Sequence, residues 1–336
     1  MLLLFMKITS RYCHLLYAAI LLLVVCLFVG CGQDVGDNKV DVQPIKFSAS
    51  TNSVLTRSAN DSQNSGFDEN TYVTIYPYKG TSTTLADPVY GAAFSSNGIN
   101  YHTGNITTGV TRELLSTIPD PSYPNENSGQ VTIVGVHPVI GSANFSGSTP
   151  TYTFTVSTDQ STAAAYKLSD LMTAKTTANR SENAIGLNFY HKLAKVTVTF
   201  HPNAGTPKIC KVELLSITPS ITVNVQTATV GATASGTSTN IICYNNAEGT
   251  TEETSVSAVM PVQAQKASGT AFIRFTFYGG GSIVWNLDHN LTLSAGNHYS
   301  YDLKVGLKTV GVLNTTVTDW VTDGSIETET DHTVQV

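Results

Sequence analysis

The chain has 336 residues, of which 12% are charged and 41% hydrophobic, and its formal charge is −6. An acidic balance without clustered Lys and Arg lacks the electrostatic footprint that nucleic-acid binding needs, so no nucleic-acid partner is expected. The length points to two domains, because single cores stop growing at roughly 250–300 residues.

The first thirty residues read as an address rather than as part of a fold. "MLLLFMKITSRYCHLLYAAILLLVVCLFVGC" carries Lys7 and Arg11, an apolar run from Leu15 to Val29, and then Gly30-Cys31. A basic start, a short apolar core and a small residue before the cut make a secretory signal. Phe28-Val29-Gly30-Cys31 fits a bacterial lipoprotein cleavage site, with Phe where Leu is usual, so Cys31 is the expected lipid attachment point. An uncleaved span is the alternative, since the apolar run approaches the ~20 residues that crossing a bilayer takes. Several acyl chains on Cys31 would hold the protein firmly to the outer membrane, facing the cell surface. Losing Lys7 and Arg11 with the signal removes two positive charges and no negative ones, taking the formal charge from −6 to −8.

Residues 31–45 are polar and acidic and read as a flexible tether. "PIKFSAS" (44–50) follows, with Ile45, Phe47 and Ala49 alternating onto one face. Arg57, one of only five arginines, opens a small, polar stretch of the kind proteases nick. Beyond it the dominant period is two. "YVTIY" (72–76), "VTIVGV" (131–136), "TYTFTV" (151–156), "KVTVTF" (195–200), "SITVNV" (220–225) and "AFIRFTFY" (271–278) all alternate and predict strands. Gly-, Asn-, Ser- and Pro-rich clusters between them predict turns. "STAAAYKLSDLMTAK" (161–175) is the best helical candidate, with one or two turns.

Many short strands with almost no helix predict an all-β chain: two tandem antiparallel β-sandwich domains. The polar stretch "TTANRSENA" (176–184) is the expected boundary, giving an N-terminal domain over 46–180 and a C-terminal one over 185–336.

Reactive constellations are scarce. His191-Lys192, in "NAIGLNFYHKLAKVTVTF" (183–200), stands before a strand whose inner face is Val196, Val198 and Phe200. A catalytic His needs an acid or nucleophile partner, and no motif supplies one, so His191 is read as structural and the chain as no enzyme. Cys13 and Cys26 lie in the signal, which leaves Cys210 and Cys243. In an oxidising compartment these two either form a disulfide or sit as separate buried thiols, the second being preferred. No spacing suggests zinc or another metal, and no cofactor is expected.

Several segments in order resemble the fimbrillin-like families of Bacteroidetes. These are "GFDENTYVTIYPY" (66–78), "DQSTAAAYKLSDLM" (159–172) running into "DLMTAK" (170–175), "LNFYHKLAKVTVTF", "LSAGNHYSYDLKV" (293–305) and "VTDW" (317–320). The resemblance implies transthyretin-like sandwiches in a surface lipoprotein that joins, anchors or caps a fimbria. It also implies trimming by an arginine-specific protease, here after Arg57, which would release a first strand carrying Ile45, Phe47 and Ala49. A strand of the next subunit would then fill the opened groove. The donor segment implied here is "GSIETETDHTVQV" (324–336), whose strongly apolar side chains are Ile326, Val334 and Val336. Partners implied are other fimbrial subunits and a host or bacterial surface ligand. The competing reading is a glycan-binding surface lipoprotein, for which the fifteen tyrosines are the motive.

Overall fold

The computed structural model describes residues 43–51, 66–80, 98–124, 129–139 and 150–320. Cys31, Arg57, Ile326, Val334 and Val336 lie outside the described residues. The first strands in chain order are β1 (Phe47–Thr51), β2 (Tyr72–Lys79), β3 (Ile99–Thr108), β4 (Thr111–Leu115), β5 (Val131–His137) and β6 (Thr151–Thr155). Helix α1 (Ala163–Ser169) precedes β7 (Met172–Ala178), β8 (Ile185–His191), β9 (Ala194–Pro202) and β10 (Ile209–Ile217). Then come β11 (Ser220–Asn224), β12 (Thr229–Val230), β13 (Thr239–Thr250) and β14 (Thr254–Met260). The last are β15 (Ala271–Phe277), β16 (Ser282–Asn286), β17 (Asn297–Val305) and β18 (Val310–Asp319). The all-β class is as expected, and each of the six alternating runs forms a strand.

Seven strands close a barrel in the order β1-β4-β3-β2-β5-β7-β8. Its interior holds Phe47, Val73, Ile75, Tyr101, Ile133 and Phe189, among other buried apolar side chains. β2 and β5 are buried on both faces, so their alternate side chains divide between two cores rather than between core and solvent. Val73 and Ile75 point into the barrel, while Tyr76 and Tyr78 join a second core. Val131 and Ile133 point inward, and Val134 and Val136 outward, by the same alternation.

The second core lies between two four-stranded sheets, β14-β9-β17-β18 and β13-β10-β15-β16. Val196, Val198 and Phe200 of β9 are fully buried in it, opposite Ile273 and Phe275 of β15. Phe200 meets Phe275 edge-on at 5.8 Å between ring centroids, and Phe272 meets Tyr301 at 5.7 Å, so the two sheets pack as a sandwich. β6 pairs with β11, and β11 with β12, in a small third sheet.

Two features depart from a purely antiparallel expectation. β1 pairs parallel with β8, and β9 pairs parallel with β17. Parallel neighbours need long crossovers, which the alternation within a single strand does not reveal. The helix takes about two turns of the segment 161–175, as expected: the Thr162 side chain caps it, accepting from the Ala165 N–H, and β7 begins at Met172. The polar stretch 176–184 forms the end of β7 and its connection to β8, and the chain passes from barrel to sandwich between His191 and Ala194.

At Gly135 the Phe189 ring lies directly against the β5 backbone. A Cβ there would stand 2.6 Å from Phe189 Cζ, so only glycine admits the Phe189 ring. Gly135→Ala is therefore expected to destabilise the protein by about 1–3 kcal/mol in urea unfolding. Adding Phe189→Leu, which withdraws the ring edge, is expected to make the Gly135→Ala change less costly than it is alone; additive effects would show that this contact is not the cause.

Candidate functional site

The strand that closes the barrel is the site's first component. Ile45, Phe47 and Ala49 are 0–2% exposed and share the barrel core, whereas Ser48 and Ser50 are only half-buried. The predicted alternation is thus real. The Phe47 ring stands edge-on to Tyr101 at 5.3 Å. On one side β1 pairs antiparallel with β4, from Phe47↔Leu114 to Ala49↔Arg112. On the other it pairs parallel with β8, from Phe47↔Ile185 to Thr51↔Phe189. The Ile185 N–H donates to Lys46 O at 2.8 Å, and the Ile45 N–H donates to Pro121 O at 2.7 Å.

β1 is therefore no outer strand of a sandwich; it is the piece that turns an open sheet into a barrel. Without it, β4 and β8 would become free edges flanking an apolar slot lined by Tyr101, Leu114, Ile185 and Leu187. Burying Ile45 and Phe47 contributes roughly 3–6 kcal/mol gross, at about 1.5–3 kcal/mol each. β4 also has anchors independent of β1. The Arg112 guanidinium donates to Phe67 O at 2.6 Å and to Gly104 O at 2.8 Å, tying β4 to β3 and to the chain leading into β2.

The second component gathers residues that sequence reasoning left apart. His191 ends β8 as a buried side chain, and its Nδ1 lies 2.8 Å from Asp170 Oδ1, itself fully buried. Trp320 stacks on the His191 ring at 3.8 Å with 14° between planes. Lys195 Nζ lies 5.6 Å from the centre of the same Trp320 ring, and burial pulls its ammonium down to about 8. His191 does have an acid partner, but the pair is buried under the Trp320 indole, where it ties the end of β8 to the end of α1. The partners belong to the Asp-Leu-Met, His-Lys-Leu-Ala-Lys and Asp-Trp segments. No local spacing announces their meeting, since they are far apart in the chain.

Other parts of those segments are structural too. The buried Gln160 amide donates to Val259 O at 2.9 Å and accepts from Val259 N–H at 2.9 Å, completing the outer edge of β14. On the far face of β9, Thr197 Oγ1 lies 2.7 Å from His298 Nε2 and 2.8 Å from Ser257 Oγ. Burial, reinforced by the nearby Lys195 charge, holds the His298 imidazole down at about 4. Cys210 and Cys243 are separate free thiols. Cys243 faces Val212 O in the core, where burial pushes it up to about 12, whereas Cys210 faces Thr276 O of β15. The described residues hold no group of three or more His, Cys, Asp or Glu able to hold a metal ion.

Comparison with known proteins agrees with this architecture. A family profile described as fimbrillin-like matches residues 56–320. A candidate cell adhesion protein from Bacteroides uniformis superposes with a TM-score of 0.59 at 19% identity, over 83% of this chain and 98% of that one. A second candidate cell adhesion protein, from Bacteroides ovatus, gives 0.58 at 17% identity, over 84% and 99%. At these identities the two structures speak for the fold. No curated protein matches the chain.

The His298 geometry carries a pH prediction. Its imidazole is depressed to about 4 in the fold, while the unfolded chain has the ordinary value near ~6.5, so the unfolded state binds the extra proton first. Its contribution is complete above about 6.5 and is lost as pH falls towards about 4, by at most about 3 kcal/mol. Urea unfolding at pH 7.5, 5.5 and 4.5 is expected to show that loss, reduced in His298→Gln; an unchanged pH slope in the variant would contradict it.

Proposed function

We propose that this chain, which belongs to the fimbrillin-like family, is a structural or accessory subunit of a cell-surface fimbria and that it assembles by strand replacement at β1. In this reading the signal is removed, Cys31 is acylated, and the lipid holds the precursor at the outer membrane. An arginine-specific protease then cuts after Arg57, and β1 leaves as one piece. A strand of the neighbouring subunit enters the slot, its backbone completing the ladders to β4 and β8 and its alternate side chains filling the places of Ile45, Phe47 and Ala49.

The observation that carries the reading is the position of β1. It is the first described strand, it and Ile45 just before it supply three alternating side chains to the barrel core, and among the described residues it is the strand that bridges β4 and β8. The chain after it runs into the stretch that contains Arg57, so a single cut there separates β1 from the remaining barrel. An open barrel with two bare edges is strongly driven to acquire a strand, which gives the step both its direction and its hazard. The donor in this reading is the segment holding Ile326, Val334 and Val336. A subunit that keeps its lipid and escapes the cut would instead serve as an anchor or cap.

The test is trimming. Treating the purified secreted chain with an arginine-specific protease is expected to yield an N-terminus at Ser58 and, on incubation, ladders that survive SDS without heating. Shortening the chain at residue 323 is expected to abolish those ladders while leaving the Ser58 terminus. Trimmed protein that stays monomeric under all conditions contradicts assembly by strand replacement.

A further inference from the structure

We propose that the cleft bordered by the start of β2, the end of β5 and helix α1 binds a neutral oligosaccharide of about two or three hexose units, stacked on Tyr72. The inference needs only the described fold and stands apart from strand replacement.

The cleft encloses about 610 Å³, within the size range of small-molecule sites. Its walls are of two kinds. Tyr72, Pro138, Val139, Ala164 and Leu168 supply apolar surface, and Asp68, Glu69, Asn70 and Asn100 supply polar groups. Tyr72 is 57% exposed and Leu168 66%, although both belong to regular elements of the fold. Large apolar side chains left open to solvent beside carboxyl and amide groups match the chemistry of a pyranose. Such a ring presents a C–H face that packs on an aromatic surface and a rim of hydroxyls that donate to carboxylate and amide oxygens.

The site is held in place before any ligand arrives. The buried His137 sits under Tyr72, its Nδ1 2.8 Å from Tyr72 O and its Nε2 3.3 Å from Lys167 O, and burial lowers its imidazole. The Tyr72 ring leans on His102 at 5.8 Å between centroids. The turn at Asn70, in left-handed backbone with φ 61°, is fixed by its N–H donating to Thr103 O at 2.8 Å. Asn100 Oδ1 accepts from Thr74 Oγ1 at 3.0 Å, which orients the amide. Rigid supports of this kind reduce the ordering cost of binding.

Charge selects among sugars. Lys167 forms an ion pair with Asp68 across the cleft, which cancels one carboxylate and leaves Glu69 as the surplus charge. A carboxylated or sulfated glycan would meet net negative charge, whereas neutral hexoses would not.

The experiment uses the whole chain and a panel of glucose-, mannose- and galactose-based neutral trisaccharides, with sialyllactose as the acidic comparison, read by ligand-observed NMR and calorimetry. At least one neutral member is expected to bind with a millimolar or tighter Kd and to outcompete sialyllactose. Tyr72→Phe keeps the stacking face and is expected to stay within about threefold, whereas Tyr72→Ala loses about tenfold or more, the scale of one aromatic contact. Leu168→Arg, at an equally open position, is expected to block the cleft, and both variants should keep the parent's melting temperature. Binding by no neutral member, tighter binding of sialyllactose, or affinity unchanged in both Tyr72→Ala and Leu168→Arg would overturn the proposal.

Discussion

The parallel pairing of β1 with β8 is the interaction on which the rest of the molecule depends. β8 comes more than a hundred residues after β1, so this ladder closes a very long loop and converts an open sheet into a barrel. Closure hides two edges at once and seals the core that holds Phe189, Tyr101 and Ile133. Little of that stabilisation is local, because β1 is short and its contribution lies in Ile45, Phe47 and two flanking ladders. A strand attached in this manner contributes through its two ladders and the side chains it turns into the core.

The barrel in turn is built into the sandwich rather than tethered to it. β2 and β5 give one face to each core, with Tyr76, Tyr78, Val134 and Val136 belonging to the second. The Asp170–His191 pair under Trp320 stands where β8 hands the chain to β9. Buried polar contacts of this type add little net stability against well-packed apolar groups, but they tolerate few alternative arrangements. In this chain they fix β8, the neighbour of β1, against the second half of the molecule.

Much of the fold was legible in the sequence, for a definite reason. Strands with one face in a core print a period of two, as 195–200 and 271–278 do, whereas 131–136 divides its alternate side chains between two cores. β8 was less visible: the six alternating runs leave it out, although Ile185, Leu187, Phe189 and His191 form its buried face. Barrel closure and the two parallel pairings left no local trace, since they depend on which distant strands meet. The first strand's inward face was read correctly from Ile45, Phe47 and Ala49. The partner of His191 was not, because Asp170 lies 21 residues away and Trp320 much further. Buried pairs of this kind become visible in a sequence only through segments that recur together, which is how the resemblance arose.

Hydrogen exchange on a chain beginning at Ser58, measured with and without a synthetic peptide of residues 43–51, tests the central claim most directly. The account predicts fast exchange along β4 from Arg112 to Leu114 and along β8 from Ile185 to Phe189 without the peptide, and protection of both edges once it binds. Equal protection of both edges in the absence of the peptide, or failure of the peptide to protect either, would contradict it.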